Sequence, residues 1–308
     1  MNINRVAIIG ECMVELRKTK QGLEQGFGGD TLNTAVYLSR LTHSSGITTS
    51  YVTGLGSDPF SSDMLNQWHD ENVNTDMVYL VEGRMPGIYA IETAEDGERS
   101  FYYWRNESAA KFWIRDHAVQ SLTENLSRHQ LIYLSGISLA ILPNDCRKKL
   151  LDALTLCKRN GTTIAFDNNY RPALWDSIED AQYWYREMLT LTDIAFITYD
   201  DDVMLWGDKN EQYSILRTQS FGVDEIIMKR GSEACFVIKD GQTIEVPSSK
   251  IDNVIDTTAA GDSFSAGYLA KRLLGGSLQE SALSGHKIAG TVIQHRGAVI
   301  DLATMPTI

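Results

Sequence analysis

Short apolar runs rich in β-branched residues alternate along this chain with longer segments of helical period. The apolar runs are residues 6–9, 51–55, 131–134, 163–166, 194–197, 225–228 and 234–238. The helical segments between them are residues 31–41, 59–71, 143–158, 179–191 and 211–221. Near-continuous apolar strands separated by helices are typical of a largely parallel sheet that is covered on both faces. The pattern therefore predicts an α/β fold, a three-layer α/β/α sandwich around a mostly parallel central sheet.

Composition and charge exclude several classes of protein. With 308 residues, of which 43% are hydrophobic, the chain can form one large domain over residues 1–308. A formal net charge of −12 repels polyanions, so we expect no nucleic-acid partner. No run of eighteen apolar residues and no signal-type leader is visible, so we expect a cytoplasmic protein with no membrane partner. The cysteines, which lack metal-ligand spacing and are expected to be buried thiols, are Cys12, Cys146, Cys157 and Cys235.

Residues 86–105 interrupt the alternation and predict a β-hairpin with a turn around Asp96-Gly97. A hairpin this rich in aromatic side chains is expected to cover a substrate or another subunit. We predict that it forms a small β lid inserted into the domain, with a contribution from residues 12–27. The lid also offers a surface for a homodimer. Its aromatic residues are Tyr89, Phe101, Tyr102, Tyr103 and Trp104.

The register of this hairpin decides which side chains can face a ligand. A two-residue turn would pair Tyr89 with Trp104, whereas a three-residue loop over residues 95–97 pairs Tyr89 with Tyr103. We predict the second register, which places Tyr89, Tyr103 and Arg105 on one face. That face can bind a polar, anionic ligand. The alternative is that the aromatic pairs only stabilise the hairpin.

The stretch IDTTAAGDSFSAGY, residues 255–268, indicates an anion site at the start of a helix. Ala259, Ala260 and Gly261 have almost no side chain, so a ligand can approach their backbone N–H groups. The helix that follows points the positive end of its dipole at the same place. A carboxylate there, Asp262, is costly unless it caps the helix or takes part in chemistry. If the anion is a phosphoryl group in transfer, Asp262 can accept the proton of the attacking hydroxyl.

Two motifs resemble those of the ribokinase-like, or PfkB, family of sugar kinases, and the resemblance spans essentially the whole chain. Residues 256–262, DTTAAGD, resemble the signature D-T-x-G-A-G-D, whose last Asp is the catalytic base and whose small residues form the anion hole. Residues 28–35, GGDTLNTA, resemble the signature G-G-x-x-x-N-x-A, which contacts the sugar. The resemblance implies a ribokinase-like kinase that uses ATP and Mg²⁺. A monovalent cation is a further candidate cofactor, for which the sequence reveals no site. The implied sugar contacts are Gly28, Gly29, Asp30, Asn33 and Asp262.

The chain departs from the family pattern in two places. Ala259 replaces the usual first glycine of the anion hole; we expect an ordinary φ there, because alanine still leaves its N–H accessible. In residues 198–202, TYDDD, the family's N-x-x-E element for placing Mg²⁺ is changed to Tyr199 and Asp202. We expect Asp202 to help organise the metal. The alternative is a solvated first turn of a helix.

Arg105 and Arg171 indicate an anionic acceptor, because a guanidinium binds a carboxylate or phosphate with paired donors. The lid, residues 10–15 (GECMVE) and residues 169–172 (NYRP) resemble one branch of the family, the kinases of 2-keto-3-deoxygluconate. That resemblance implies phosphoryl transfer from ATP to the 6-hydroxyl of this sugar acid, which the lid residues Tyr89, Tyr103 and Arg105 would bind. It also implies that Arg171 lies between substrate and phosphates; the alternative for Arg171 is a salt bridge to a neighbouring Asp. A kinase for a neutral sugar and a non-catalytic sugar sensor are the other functions considered.

The nucleotide contacts are predicted from position along the family pattern. Residues 228–233 occupy the place of the strand and turn that border ATP, which makes Lys229 and Gly231 candidates. His286, in the segment 285–289, is the candidate for the adenine side. The full set of predicted nucleotide contacts is Asn169, Lys229, Gly231, Ala259, Gly261 and His286.

Overall fold

The computed structural model of the chain describes residues 3–19, 22–93 and 99–308. Its strands are β1 Arg5–Ile9, β2 Met13–Thr19, β3 Gly22–Gly28, β4 Thr48–Leu55, β5 Val73–Asn74, β6 Val78–Leu80, β7 Gly87–Thr93, β8 Arg99–Trp104, β9 Leu131–Ser135, β10 Thr163–Asp167, β11 Ile194–Thr198, β12 Glu225–Lys229, β13 Cys235–Lys239 and β14 Gln242–Val246. Its helices are α1 Asp30–Thr42, α2 Pro59–Asp70, α3 Val119–Leu126, α4 Gly136–Ala140, α5 Asn144–Arg159, α6 Ile178–Leu191, α7 Tyr199–Trp206, α8 Glu211–Ser220, α9 Ala260–Leu273 and α10 Leu278–Val292.

The larger sheet of the described residues contains ten strands, in the order β14-β13-β12-β11-β10-β9-β1-β4-β5, with β6 beside β4. Its strands pair in parallel except β13, which is antiparallel to both β12 and β14. Consecutive side chains of β1 enter opposite cores: Val6 and Ile8 pack on one face, Ala7 and Ile9 on the other. An apolar run without polar interruption is therefore what a strand covered on both faces requires.

Helices cover the two faces in separate groups. Helices α1, α2, α9 and α10 bury residues such as Leu38 and Leu269 against one face. Helices α3 to α8 bury residues such as Leu150 and Tyr185 against the other. The three layers are those that the sequence predicts. The bounds of the five predicted helices and of six of the seven predicted strands agree with the structure within one residue, while β4 begins three residues earlier than predicted.

A second, smaller sheet has the strand order β3-β2-β7-β8. Strands β7 and β8 form the predicted hairpin, and β2 and β3 pair beside it, one residue later in the chain than the contribution predicted from residues 12–27. Tyr89 pairs with Tyr103, which is the register of a three-residue loop. The loop itself, with Asp96-Gly97, lies outside the described residues.

Two other expectations concern thiols and membranes. All four cysteines are free and buried, as predicted. None of the described helices combines the length and the apolar character needed to span a bilayer.

Candidate active site

The N-termini of α1 and α9 meet beside the carboxyl ends of the central strands, and this brings the two sequence motifs together. The Asn33 Nδ2 donates a hydrogen bond to the Asp262 Oδ2 at 2.8 Å. The Asn169 Nδ2, just after β10, donates to the Asp30 Oδ2 at 2.7 Å. Residues from three distant parts of the chain thus form one polar cluster at the edge where α/β sheets bind their ligands.

Helix α9 begins in a residue with left-handed backbone, since Ala259 has φ 61° and ψ 13°. The expectation of an ordinary φ at Ala259 is therefore wrong: the chain must turn sharply at this N-cap to enter the helix. The Ala260 N–H donates to the Thr257 carbonyl at 3.2 Å. The next N–H groups, those of Gly261 and Asp262, lie in the first turn, where the helix itself offers no acceptor. They are the donors best placed for an anion.

Replacing Ala259 with Gly is expected to stabilise the protein, because glycine adopts this φ without the clash of a Cβ. Left-handed backbone costs an L-residue roughly 1–2 kcal/mol, which the substitution relieves. The greater entropy of glycine in the unfolded chain offsets part of this gain. The net gain in the free energy of unfolding should be about 0.5–1 kcal/mol by urea denaturation. Ala260→Gly, one residue into the helix, is the matched control and should lower that free energy. If the Ala259→Gly protein were less stable than the wild type, the claim that the backbone at Ala259 is strained would be wrong.

Asp262 does not cap its own helix. The N-cap of α9 is Ala259, which lacks a side-chain cap, and the Asp262 carboxylate bonds instead to Asn33 on α1. Burial raises the pKa of Asp262, the neighbouring Asp30 raises it further, and the Asn33 amide opposes the shift. A carboxylate with a raised pKa is a stronger base once it is ionised. Its position at the first turn of α9 is suited to proton abstraction next to an anion.

Lys229, a predicted nucleotide contact, lies beside the same turn. A Cβ added to Gly261 would be 3.6 Å from the Lys229 Nζ. The Lys229 ammonium donates a hydrogen bond of 2.7 Å to the Asp167 Oδ2. The same oxygen also accepts from the Ser265 Oγ and the Tyr133 hydroxyl. Asp167 is buried and holds the lysine in place. Asp167 was not among the predicted site residues; its signal in the sequence is a carboxylate at the carboxyl end of an apolar strand.

The two glycines before α1 make room for protein groups. A Cβ at Gly28 would overlap the Tyr89 hydroxyl, and one at Gly29 would overlap the Glu11 carbonyl oxygen. The Tyr89 hydroxyl also donates to the Glu15 Oε2. Tyr89, on β7, is therefore fixed by contacts with Glu15 and with the backbone just before α1.

The lid presents its predicted ligand face as an ordered group. The Tyr89 and Tyr103 ring centroids are 6.0 Å apart, and the Arg105 guanidinium carbon is 5.8 Å from the Tyr103 centroid. Tyr103 remains half exposed, whereas Tyr89 is buried. Arg105 lines a cavity of about 120 Å³. The other residues lining this cavity are Asn106, Lys111, Ala140, Ile141, Ala173 and Leu174.

Arg171 lies in the turn after β10. Its Nη1 donates to the Tyr170 carbonyl at 2.7 Å and lies 3.4 Å from the buried Asp201. The salt bridge considered as the alternative for Arg171 is thus present. Burial raises the pKa of Asp201, and the Arg171 charge opposes the shift. Half of the Arg171 side chain stays exposed, 51%, so it remains open to a ligand.

Asp202 lies in the first turn of α7, where only 2% of its surface is exposed, so the alternative of a solvated turn is wrong. One oxygen accepts from the Asn168 Nδ2 at 2.9 Å, and the other from Arg217 and Ser214. Burial raises its pKa to about 6, against the opposing charge of Arg217. A role of Asp202 in placing a metal stays a prediction, and these contacts favour a structural role.

The two remaining nucleotide candidates make their recorded contacts outside this cluster. Gly231 is exposed in the turn between β12 and β13, with φ 60°. The His286 Nε2 is 3.1 Å from the Val246 carbonyl oxygen, and its ring packs edge-on against Phe264. Burial lowers the pKa of His286, which favours a neutral ring. Their roles at the nucleotide stay predictions.

Comparison of the sequence with known proteins gives consistent matches over nearly the whole chain. The sequence profile of the pfkB family carbohydrate kinases matches residues 3–305. A 2-dehydro-3-deoxygluconokinase of Escherichia coli (strain K12) is 52% identical over 305 residues, covering 98% of this chain and 99% of that protein. A 2-dehydro-3-deoxygluconokinase of Dickeya dadantii (strain 3937) is 50% identical over 309 residues, covering 99% of this chain and 100% of that protein.

Solved structures share the fold at lower sequence identity. A protein of Escherichia coli assigned as a ribokinase II, crystallised in complex with ATP and Mg²⁺, superposes with a TM-score of 0.82. It is 21% identical, and the match covers 96% of this chain and 94% of that chain. At this identity the similarity establishes the fold, and the predicted fold class is confirmed.

Proposed function

Since this chain belongs to the pfkB family of carbohydrate kinases, we propose that it transfers the γ-phosphoryl group of ATP to the 6-hydroxyl of 2-keto-3-deoxy-D-gluconate, also called 2-dehydro-3-deoxy-D-gluconate. The product is 2-keto-3-deoxy-6-phosphogluconate. The family resemblance drawn from the two motifs is confirmed by the profile match over residues 3–305. The chain is an ATP-dependent carbohydrate kinase, and the alternative of a non-catalytic sugar sensor is set aside.

One observation carries this proposal: the carboxylate of Asp262 is held by Asn33 at 2.8 Å beside the open N–H groups of α9. A base next to an anion site is what phosphoryl transfer to an alcohol needs. The choice of a sugar acid is supported by Arg105 on the ligand face of the lid and by the two relatives that are 50–52% identical. A guanidinium is suited to a carboxylate group, which a neutral sugar lacks.

In the proposed reaction each group of side chains has a separate task. Tyr89, Tyr103 and Arg105 bind the sugar acid on the inner face of the lid and exclude water. Asp262 removes the proton of the 6-hydroxyl group as the oxygen of that hydroxyl attacks the γ-phosphorus in line. The bond from that phosphorus to the bridging oxygen then breaks and ADP leaves. The N–H groups of Gly261 and Asp262, with Lys229 and Arg171, stabilise the negative charge on the transferring group.

Mg²⁺ is part of the proposal as the ion that offsets the charge of the ATP phosphates. Within the described residues, no group of three or more His, Cys, Asp or Glu side chains could hold a metal ion. Both oxygens of Asp202 already accept from protein donors. The residues therefore do not fit a direct protein cage for Mg²⁺. A monovalent cation stays a candidate cofactor without an identified site.

Three organisational features complete the proposal. We include one ribokinase-like domain over residues 1–308 with the small sheet as its lid, a homodimer formed through that lid, and a cytoplasmic location. The side chains of Phe101, Tyr102 and Trp104 on β8 are exposed, which is consistent with a further surface covering the lid.

The proposal is tested by measuring ADP release with ATP and Mg²⁺ over a panel of acceptors. The decisive pair is 2-keto-3-deoxy-D-gluconate and 3-deoxy-D-fructose, its neutral analogue with a hydroxymethyl group in place of the carboxylate. Ribose and fructose complete the panel. We expect kcat/KM to be highest for the acid. A higher kcat/KM for a neutral sugar would favour the ribokinase- or fructokinase-type function.

A further inference from the structure

We propose that Glu11 is a positioning residue that fixes Arg105 for the substrate carboxylate and so sets the preference for an acidic over a neutral sugar. The inference rests on the proposed function, because it assigns Arg105 to a carboxylate of the acceptor. Glu11 lies two residues after the end of β1 and is itself assigned no contact with the ligand. It acts through Arg105.

Glu11 is held from two sides in a buried position. Only 2% of its surface is exposed. Its Oε1 accepts from the Ser108 Oγ at 2.6 Å, and its Oε2 accepts from the Arg105 Nη2. Arg105 and Ser108 both belong to the segment that follows β8. Glu11 therefore connects the carboxyl end of a central strand to the base of the lid and holds the guanidinium at its Nη2.

One N–H donor of the guanidinium, at Nε, is left without a protein partner. The Arg105 side chain is 10% exposed, and within the described residues its Nε is buried with no hydrogen-bond acceptor. A buried N–H without an acceptor is unfavourable, and a carboxylate oxygen is its strongest complement. Arg105 also lines the 120 Å³ cavity. The pair with Glu11 thus orients the guanidinium and leaves a donor for an anion.

Close packing at the base of the lid is consistent with a site built around this pair. Gly87 is the first residue of β7, and a Cβ there would lie 3.0 Å from the Glu11 Oε1 and 3.0 Å from the Arg105 Cβ. Such contacts are tighter than side chains normally make. Glycine at this position lets the strand pass directly beside the ion pair, and this leaves the pair little freedom to move.

A simple neutralising role for Glu11 predicts the opposite effect on substrate binding. If Glu11 only cancelled the Arg105 charge, it would compete with the substrate carboxylate, and its removal would lower KM for the acid. If Glu11 positions Arg105, its removal raises KM for the acid, because the guanidinium is no longer held in the orientation that binds it. The sign of the change in KM therefore separates the two roles.

The experiment compares wild type and Glu11→Ala on 2-keto-3-deoxy-D-gluconate and on 3-deoxy-D-fructose. We expect KM for the acid to rise about tenfold with a much smaller change in kcat, and KM for the neutral analogue to stay nearly constant. In an Arg105→Ala background the same substitution should change the acid KM less than about twofold, because effects through a shared partner do not multiply. A merely structural role would not produce this split between KM and kcat or this coupling.

The matched control is Glu71→Ala, which breaks the Arg40–Glu71 ion pair at the ends of α1 and α2. It should lower the melting temperature while leaving the ratio of acid to neutral KM unchanged. Glu11→Gln, of nearly equal size and with an acceptor for Ser108, serves if Glu11→Ala does not fold, and should raise the acid KM in the same direction. An unchanged or lower acid KM in the folded variants would overturn the inference alone. A wild type that does not prefer the acid would refute the proposed function instead, and the inference with it.

Discussion

Asp262→Asn is expected to lower kcat by about 10²–10⁴ while the fold stays near native, in line with the contribution of a general base. Asparagine has the shape of the carboxylate and can still accept the hydrogen bond from Asn33, so the contact between α9 and α1 is retained. The substitution removes the basic carboxylate, because an amide does not accept the proton. Burial and the neighbouring Asp30 both raise the pKa of this carboxyl group in the wild type. The measurement is kcat for 2-keto-3-deoxy-D-gluconate at saturating ATP, with thermal unfolding as the test of fold.

Asp58→Ala is the matched control for the helix-cap interpretation of Asp262. Asp58 is a true N-cap, because its Oδ1 accepts from the Ser61 N–H at 3.1 Å at the start of α2. Its loss should cost about 1 kcal/mol of stability and leave kcat unchanged. If Asp262→Asn likewise lowered the stability and left kcat unchanged, Asp262 would have a structural role and would not be the catalytic base.

Arg105→Ala is expected to raise KM for the sugar acid by about 10- to 150-fold relative to 3-deoxy-D-fructose. A charge-assisted hydrogen bond contributes roughly 1.5–3 kcal/mol, which corresponds to that range at about 1.4 kcal/mol per tenfold change. The effect should fall mainly on KM, because the guanidinium binds the carboxylate and not the transferring phosphoryl group. Steady-state kinetics on the two substrates measures the ratio directly.

Stability must be controlled in this experiment, because the substitution leaves the buried carboxylate of Glu11 without its ion-pair partner. Breaking a buried pair in this way typically costs about 3–5 kcal/mol. Arg105→Lys keeps a positive charge near Glu11 but lacks the planar paired donors, so it should also raise the acid KM, by less than Arg105→Ala. If both variants raised KM equally for the acid and for the neutral analogue, Arg105 would not bind the substrate carboxylate.

Much of the fold could be predicted from local pattern. Strands of the central sheet are buried on both faces, so each appears as an apolar run, and most predicted bounds agree within one residue. The lid register followed from loop length, because a change of one residue in the turn would move Tyr89 to the other face. The proximity of Asn33 and Asp262 was implied by the two motifs and by the rule that ligands bind at the carboxyl ends of parallel strands.

The parts that the sequence did not predict depend on contacts between distant residues or on backbone geometry. Glu11 and Asp167 are isolated carboxylates, and neither their pairing with Arg105 and Lys229 nor their burial leaves a periodic signal. The left-handed φ of Ala259 is imposed by the chain reversal at the N-cap, where residue type alone favours ordinary backbone. The burial of Asp202 depends on Arg217, fifteen residues later, which an acidic run by itself does not reveal.

The central claim is that the Asp262 carboxylate takes the proton of the hydroxyl that attacks the γ-phosphorus at the start of α9. A crystal structure with 2-keto-3-deoxy-D-gluconate and a non-hydrolysable ATP analogue tests it most directly. We expect an Asp262 oxygen within about 2.6–3.2 Å of the 6-hydroxyl oxygen, with the γ-phosphate at the N–H groups of Gly261 and Asp262. A complex in which the 6-hydroxyl lies beyond hydrogen-bonding reach of Asp262, with another side chain at that oxygen, would contradict it.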